Sequence, residues 1–202
     1  DFFSPDIMLE CLNEAQRYVC KELRIQAVRE LETSKSSQAL DSSGAVNLTT
    51  LNPLPLEGES GILTVRLHGG KFCRKLTDEK RREEEEAGTV YSTGDPVFYF
   101  EGEKLYIRPC DGQTVDLVYK KQPAEMAFSD TQGVADTSCA LKDSLQDLVI
   151  TKAVAVGLAW NGQLAEASVY DQETDNAIKR LNARTIQIEP ARLEVGRMRR
   201  GC

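Results

Sequence analysis

The 202-residue chain holds one histidine and one tryptophan, and aromatic side chains make up only 6% of it. A single imidazole cannot build a histidine-based metal cluster, and any histidine-dependent triad would rest on His68 alone. His68 stands beside Gly69-Gly70 at the end of an alternating run, the place of a surface loop residue rather than of a general base. Glycine occurs at turns and never as G-x-G-x-x-G after a strand or as a phosphate loop ending in Lys-Ser/Thr, so no nucleotide fingerprint is present and no cofactor is implied. The six cysteines, Cys11, Cys20, Cys73, Cys110, Cys139 and Cys202, form no C-x-x-C pair and read as free thiols of a reducing compartment. Nowhere do about 18 apolar residues run without a charge, as a membrane-spanning helix requires. Positive charge is short as well. With 25 Lys and Arg against 32 Asp and Glu, the net charge is -7. That argues against wrapping nucleic acid, because affinity for phosphate comes from cations that displace counterions. The chain opens on Asp1 rather than Met, which leaves room for a removed initiator or leader.

What is present is a helical hairpin. From Leu145 to Trp160 the chain is apolar on nearly every side, a pattern expected only of a helix surrounded by protein. Asn161-Gly162 supplies residues that tolerate the left-handed conformation closing a helix. Leu164, Ala167, Tyr170, Thr174, Ile178 and Leu181 then recur at spacings of three and four, the stripe of a second helix lying on the first. An earlier helix begins at Ser4-Pro5-Asp6, with a capping hydroxyl, a proline where its missing N–H is harmless, and an acid at the positive end. Its stripe of Met8, Leu12, Ala15, Val19, Leu23 and Ala27 extends the expected helix to Leu31.

Between these helices the periodicity changes. Thr33 to Glu59 is rich in Ser, Thr, Asn, Gly and Pro and reads as an irregular connection. Ile62 to Leu67 alternates as a strand, and the charged block from Lys71 to Glu86 allows a short solvated helix capped by Thr77. Glu83 to Glu86 point in different directions on a helix, so they read as a solvated face rather than a cation site. Val97–Phe100, Leu105–Ile107 and Val115–Tyr119, separated by Gly-containing turns, predict a three-stranded meander in which Phe98, Tyr99, Phe100 and Tyr106 serve packing rather than base stacking. The expected fold is α+β. It is a helical bundle, 5–31 and 141–182, carrying an inserted antiparallel β-rich lobe, 61–121, all in one domain spanning 1–182. Residues 183–202, with Thr185-Ile186-Gln187-Ile188-Glu189-Pro190 ahead of several arginines, read as an extended arm that must bury its apolar residues on a partner. Arg favours planar ion pairs at protein interfaces, so Ile186, Ile188, Arg192, Leu193, Val195, Arg197, Arg199 and Arg200 are the expected anchor.

Four stretches carry a resemblance: Ile7–Ala15 in the first helix, Tyr99–Pro109 in the lobe, Leu117–Pro123 leaving it, and Leu145–Ala153 opening the apolar helix. Together with the order of parts, they make the chain similar to the head-to-tail adaptor proteins of tailed bacteriophages, the group that includes the tail tubular protein A proteins. The resemblance implies a non-enzymatic virion protein assembled in the host cytoplasm and placed at the head–tail interface. It further implies a homo-oligomeric ring, twelve-fold, beneath the portal protein, joined below to a tail or nozzle protein, with double-stranded DNA passing through unbound and no membrane involved. Two alternatives to that expectation are a tail terminator or head stopper, and an enzyme of unrecognised type built on Asp, Glu or Tyr.

Overall fold

The computed structural model describes residues 4–24, 27–56, 61–110, 112–127 and 138–198, with side chains up to residue 184. The chain divides into two compact units, residues 1–30 with 123–202 and residues 31–122.

The first unit is helical. α1 (Pro5–Glu22) starts as its sequence predicts, with the Ser4 hydroxyl accepting the Ile7 N–H and Pro5 in the first turn. Cys11, Ala15, Val19 and Cys20 form its buried stripe. The helix does not continue to Leu31. It ends at Glu22 because Leu23 turns extended, and the side chain of Asn182 closes the end by donating to the Glu22 carbonyl and accepting the Arg24 N–H, both at 2.9 Å. Here a polar tertiary contact overrides a local apolar repeat. α3 (Asp143–Trp160) and α4 (Leu164–Met198) form the expected hairpin, numbered after α2 of the second unit. Gly162 adopts φ +79°, and the Gln163 N–H reaches back to the Leu158 carbonyl, satisfying a helix end that would otherwise leave bare acceptors. α4 buries Ala167, Thr174 and Ile178. It remains helical through Met198, so the backbone over 183–198 is not the extended arm the sequence suggests. Extending an existing helix avoids nucleation, and Ala183, Arg184, Gln187, Ala191, Arg192 and Leu193 are good helix formers, while Pro190, which has no N–H to donate, weakens the helix where it stands.

The second unit is β-rich. Its strands are β1 (Glu32–Ala39), β2 (Ala45–Asn47), β3 (Ile62–Leu67), β4 (Arg74–Lys75), β5 (Val97–Glu101), β6 (Lys104–Arg108) and β7 (Thr114–Lys120). They form two sheets, β1-β7-β3 and β2-β6-β5-β4, antiparallel except for the β4–β5 pair. α2 (Asp78–Glu86) is capped by Thr77 as expected and buries no residue. Two expectations are corrected. The supposed connection 33–59 contains β1 and β2; β1 reads Glu-Thr-Ser-Lys-Ser-Ser-Gln-Ala and has no apolar alternation because it is an edge strand paired only with β7. The predicted meander is also split. β5 and β6 pair, but Pro109, which has no N–H to donate, interrupts the ladder, and β7 crosses to the other sheet. Val115, Leu117 and Tyr119 of β7 then pack in one core with Leu105 and Ile107 of β6, all fully buried. Phe98 and Tyr99 are buried too, and Tyr99 stacks on Tyr106 with centroids 5.3 Å apart.

Candidate partner interface

The helical unit shows two contrasting faces, and the contrast is set on α3. One face is polar and occupied. Lys152 Nζ lies 2.7 Å from Asp171 Oδ1 on α4 and 3.8 Å from the centroid of the Tyr18 ring on α1, with its side chain only 13% exposed. The Tyr18 hydroxyl donates to Asp175 at 2.6 Å. Burial, reinforced by the hydrogen bond to Asp175, raises the Tyr18 pKa well above that of a free phenol, so it stays a donor. One ammonium thus holds three helices together.

The other face is apolar and, among the described residues, uncovered. Met8 and Leu12 of α1 and Ile150, Val154 and Leu158 of α3 wall a groove of about 340 Å³. Cys11, Ala153 and Gly157 complete the lining, so no charged side chain enters it. Burial, with Glu14 and Glu10 nearby, pushes the Cys11 thiol pKa up and keeps it a neutral part of the wall. Met8 is 43% exposed, Ile150 55% and Val154 41%. The expectation that α3 is enclosed on all sides is therefore corrected for the single chain: its outer face is open. Burying one such side chain gains about 1.5–3 kcal/mol, so a continuous row left in water marks a surface made for a partner. The helix apolar all round was the sequence signal for this face; reading it as intrachain burial missed the groove.

Other polar contacts fix the wall. The Asn13 side chain exchanges two hydrogen bonds with the Met126 backbone, donating at 3.0 Å and accepting at 2.7 Å. Gln16, 1% exposed, donates to the Ala124 carbonyl and accepts the Ala140 N–H. Each amide behaves as a piece of borrowed backbone, pinning the returning chain along α1.

The single histidine has acquired neighbours. His68 Nδ1 is 2.8 Å from Asp116 Oδ1, and Ser37 Oγ is 3.1 Å from both ring nitrogens. An oxygen equidistant from both nitrogens lies off the Nε2 lone-pair axis, which a serine nucleophile must meet. Asp116 Oδ1 also accepts the Ser37 N–H at 2.9 Å, at a bulge where β1 carries Ser37 at φ +54°. That N–H, followed by His68, holds the Asp116 carboxyl below its ordinary pKa. The trio braces a strained turn of an edge strand. In the acidic run, Glu84 pairs with Arg74 at 3.3 Å, and among the described residues no group of three His, Cys, Asp or Glu could hold a metal ion. Nor is any described helix long and apolar enough to cross a membrane.

Of the anchor residues expected from sequence, Ile186, Ile188, Arg192, Leu193, Val195 and Arg197 fall on the helical backbone of α4, and their side chains lie outside the described residues, as do Arg199 and Arg200 altogether.

An exposed apolar surface points to a partner, and comparison with protein families says of what kind. The family described as SU10 adaptor protein matches residues 1–198. The chain belongs to the SU10 adaptor family. It is a bacteriophage head-to-tail adaptor, a structural component of the virion from a family that is not one of enzymes. No curated protein matches the chain. An adaptor of this family works through contacts with portal and tail proteins and through oligomerisation, the kind of work an open apolar face performs.

Proposed function

We propose that copies of the adaptor close into a twelve-fold ring beneath the portal, continue the DNA channel, and present their lower surface to a tail or nozzle protein. The supporting observation is the groove between α1 and α3, an apolar surface that the described residues of one chain leave exposed. Lateral contacts between identical subunits are heterologous, and they close when the rotation per subunit divides a full turn. The net charge of -7 suits a conduit, since an acidic bore repels phosphate instead of retaining it. Residues 1–182 act as one adaptor domain and residues 183–202 as the anchor to the portal. Ile186, Ile188, Leu193 and Val195 supply apolar contacts there, and Arg192, Arg197, Arg199 and Arg200 supply ion pairs. Assembly takes place in the host cytoplasm before the particle matures.

The test is native mass spectrometry of the full chain alone and mixed with the portal ring of its own phage. Stoichiometric addition to the portal is expected, and removal of residues 185–202 is expected to leave the fold intact while abolishing addition. A chain that never adds to the portal, or a truncated chain that adds at full strength, overturns the ring or the anchor respectively.

A further inference from the structure

α4 carries a row of charges sorted by sign. Asp171, Asp175 and Asn182 are the residues through which it reaches α3 and α1. Roughly opposite them, at about 100° per residue, Glu166, Glu173, Arg180 and Arg184 fall within about 40° of one line, and all four are exposed. Exposed Val169 and Tyr170 border the row, and the small Ala177 lies near its middle. None of the four charges forms an ion pair with another described residue. The needs of the helix itself do not account for their order. The macrodipole acts within the first and last turns, whereas Glu173 and Arg180 stand well inside a 35-residue helix. Arg180 and Arg184 are one turn apart, so within one copy they repel each other.

We propose that this face of α4 pairs with itself in a second copy of the chain, the two α4 helices running antiparallel. A two-fold axis passing between Asn176 and Ala177 sets Glu173 level with Arg180 of the second copy, twice over. It also brings Glu166 within about a turn of Arg184 of the second copy. Each copy brings two acids and two bases to the contact, so charge balances there although the whole chain is acidic. A partner pointing the same way fits worse. α1 runs parallel to α4, since Tyr18 meets Asp175 and Glu22 meets Asn182, and the first half of α1 holds Asp6, Glu10 and Glu14 without a base. Parallel copies laid side by side through these two helices set acid against acid. The antiparallel pair points the two α4 C-terminal ends in opposite directions, so it cannot sit on one portal. It is a holding form of the free protein that opens before ring assembly. That last step rests on the ring reading; the pairing does not.

The full-length protein is followed by sedimentation velocity across a concentration series at low and at high salt. The wild type is expected to dimerise, and to do so about ten-fold more weakly at high salt, because the ion pairs are exposed and screened. Glu173→Arg and Arg180→Glu, each checked for a wild-type helical circular dichroism spectrum, are each expected to stay monomeric, since each sets like charges level twice. Mixed one to one, they are expected to form a heterodimer, and the double variant carrying both changes is expected to dimerise with itself. No role within a single chain predicts that recovery. Wild-type protein that stays monomeric at low salt overturns the proposal, as does a single variant that dimerises like wild type or a mixture that stays monomeric. Should a single variant fail to fold, Glu173→Gln and Arg180→Gln replace the two; each is expected to weaken the dimer, and an unchanged dimer overturns the proposal. Portal addition is scored separately. A dimer whose protein never adds to the portal would sink the ring reading and leave the pairing standing; portal addition by a wild type that never dimerises would do the reverse.

Discussion

Removing either end of the Lys152–Asp171 pair should destabilise the helical unit, but by unequal amounts. In Lys152→Met the stem is kept and the ammonium lost. Asp171, whose side chain is 48% exposed, can then rehydrate, so the loss is one charge-assisted hydrogen bond plus the contact with the Tyr18 ring. A hydrogen bond to a charged group contributes about 1.5–3 kcal/mol and a partly buried cation–π contact about 1, less what Asp171 regains from water, which leaves about 2 kcal/mol. Asp171→Asn acts on the other partner. It leaves an ammonium whose side chain is only 13% exposed facing a neutral amide in place of its counter-charge, and breaking a pair from that side costs about 3 kcal/mol. Trp160, the only tryptophan, ends α3 and is 43% exposed, so urea unfolding followed by its fluorescence reports on this unit. The expected order of midpoints is wild type, then Lys152→Met, then Asp171→Asn, with the double variant less damaged than the sum of the two. Equal losses, or additive ones, would refute the asymmetric desolvation on which the reasoning depends.

Gln16→Ala removes a buried amide that satisfies the Ala124 carbonyl and the Ala140 N–H; a loss of about 2–3 kcal/mol in the same unfolding assay is expected, with faster amide exchange at Ala140. Gly44 has φ +77°, and a Cβ there would meet the Arg108 guanidinium and the Cys110 side chain, so Gly44→Ala is expected to destabilise the β-rich unit by about 2 kcal/mol or more, read from its thermal midpoint. Because the folded-state pKa of Asp116 lies below its unfolded value, its stabilisation is present above the ordinary carboxylate range and fades as pH falls through the folded value. Asp116→Asn should therefore flatten the acid limb of a stability–pH profile of the β-rich unit, and an unchanged limb would show that the Ser37–His68 brace contributes nothing.

What could be read from the residues depended on whether a segment's neighbours are local. The Ser4-Pro5 start, the Thr77 cap and the Asn161-Gly162 stop are set within a few residues of themselves, and each was legible. β1 was not, because an edge strand of serines and threonines takes its conformation from the register of β7, which no local pattern encodes. The end of α1 at Glu22 was hidden for the same reason, since Asn182 closes it from far along the chain. The third strand of the supposed meander looked like its predecessors, and only the sheet order shows it pairing elsewhere. The groove was half legible: the excess apolarity of α3 was plain, but composition cannot tell whether the burying partner is the same chain or another.

The first strand of the β-rich unit begins beside the end of its last: Glu32 is in register with Lys120, and the Lys121 N–H donates to the Leu31 carbonyl at 2.7 Å. This juxtaposition bears on the order of folding. Docking α1 onto α3 in an unfolded chain means closing a loop of roughly 120 residues; once the insert has folded, its two ends meet and the effective loop shrinks to roughly 30 residues, easing closure by about 1 kcal/mol on the logarithmic law. On the ribosome, α1 emerges first but has nothing to pack against until α3 and α4 follow, whereas the insert is continuous in sequence and is complete earlier. The insert then helps to bring the bundle together, and a substitution deep in its core would delay the helical unit as well.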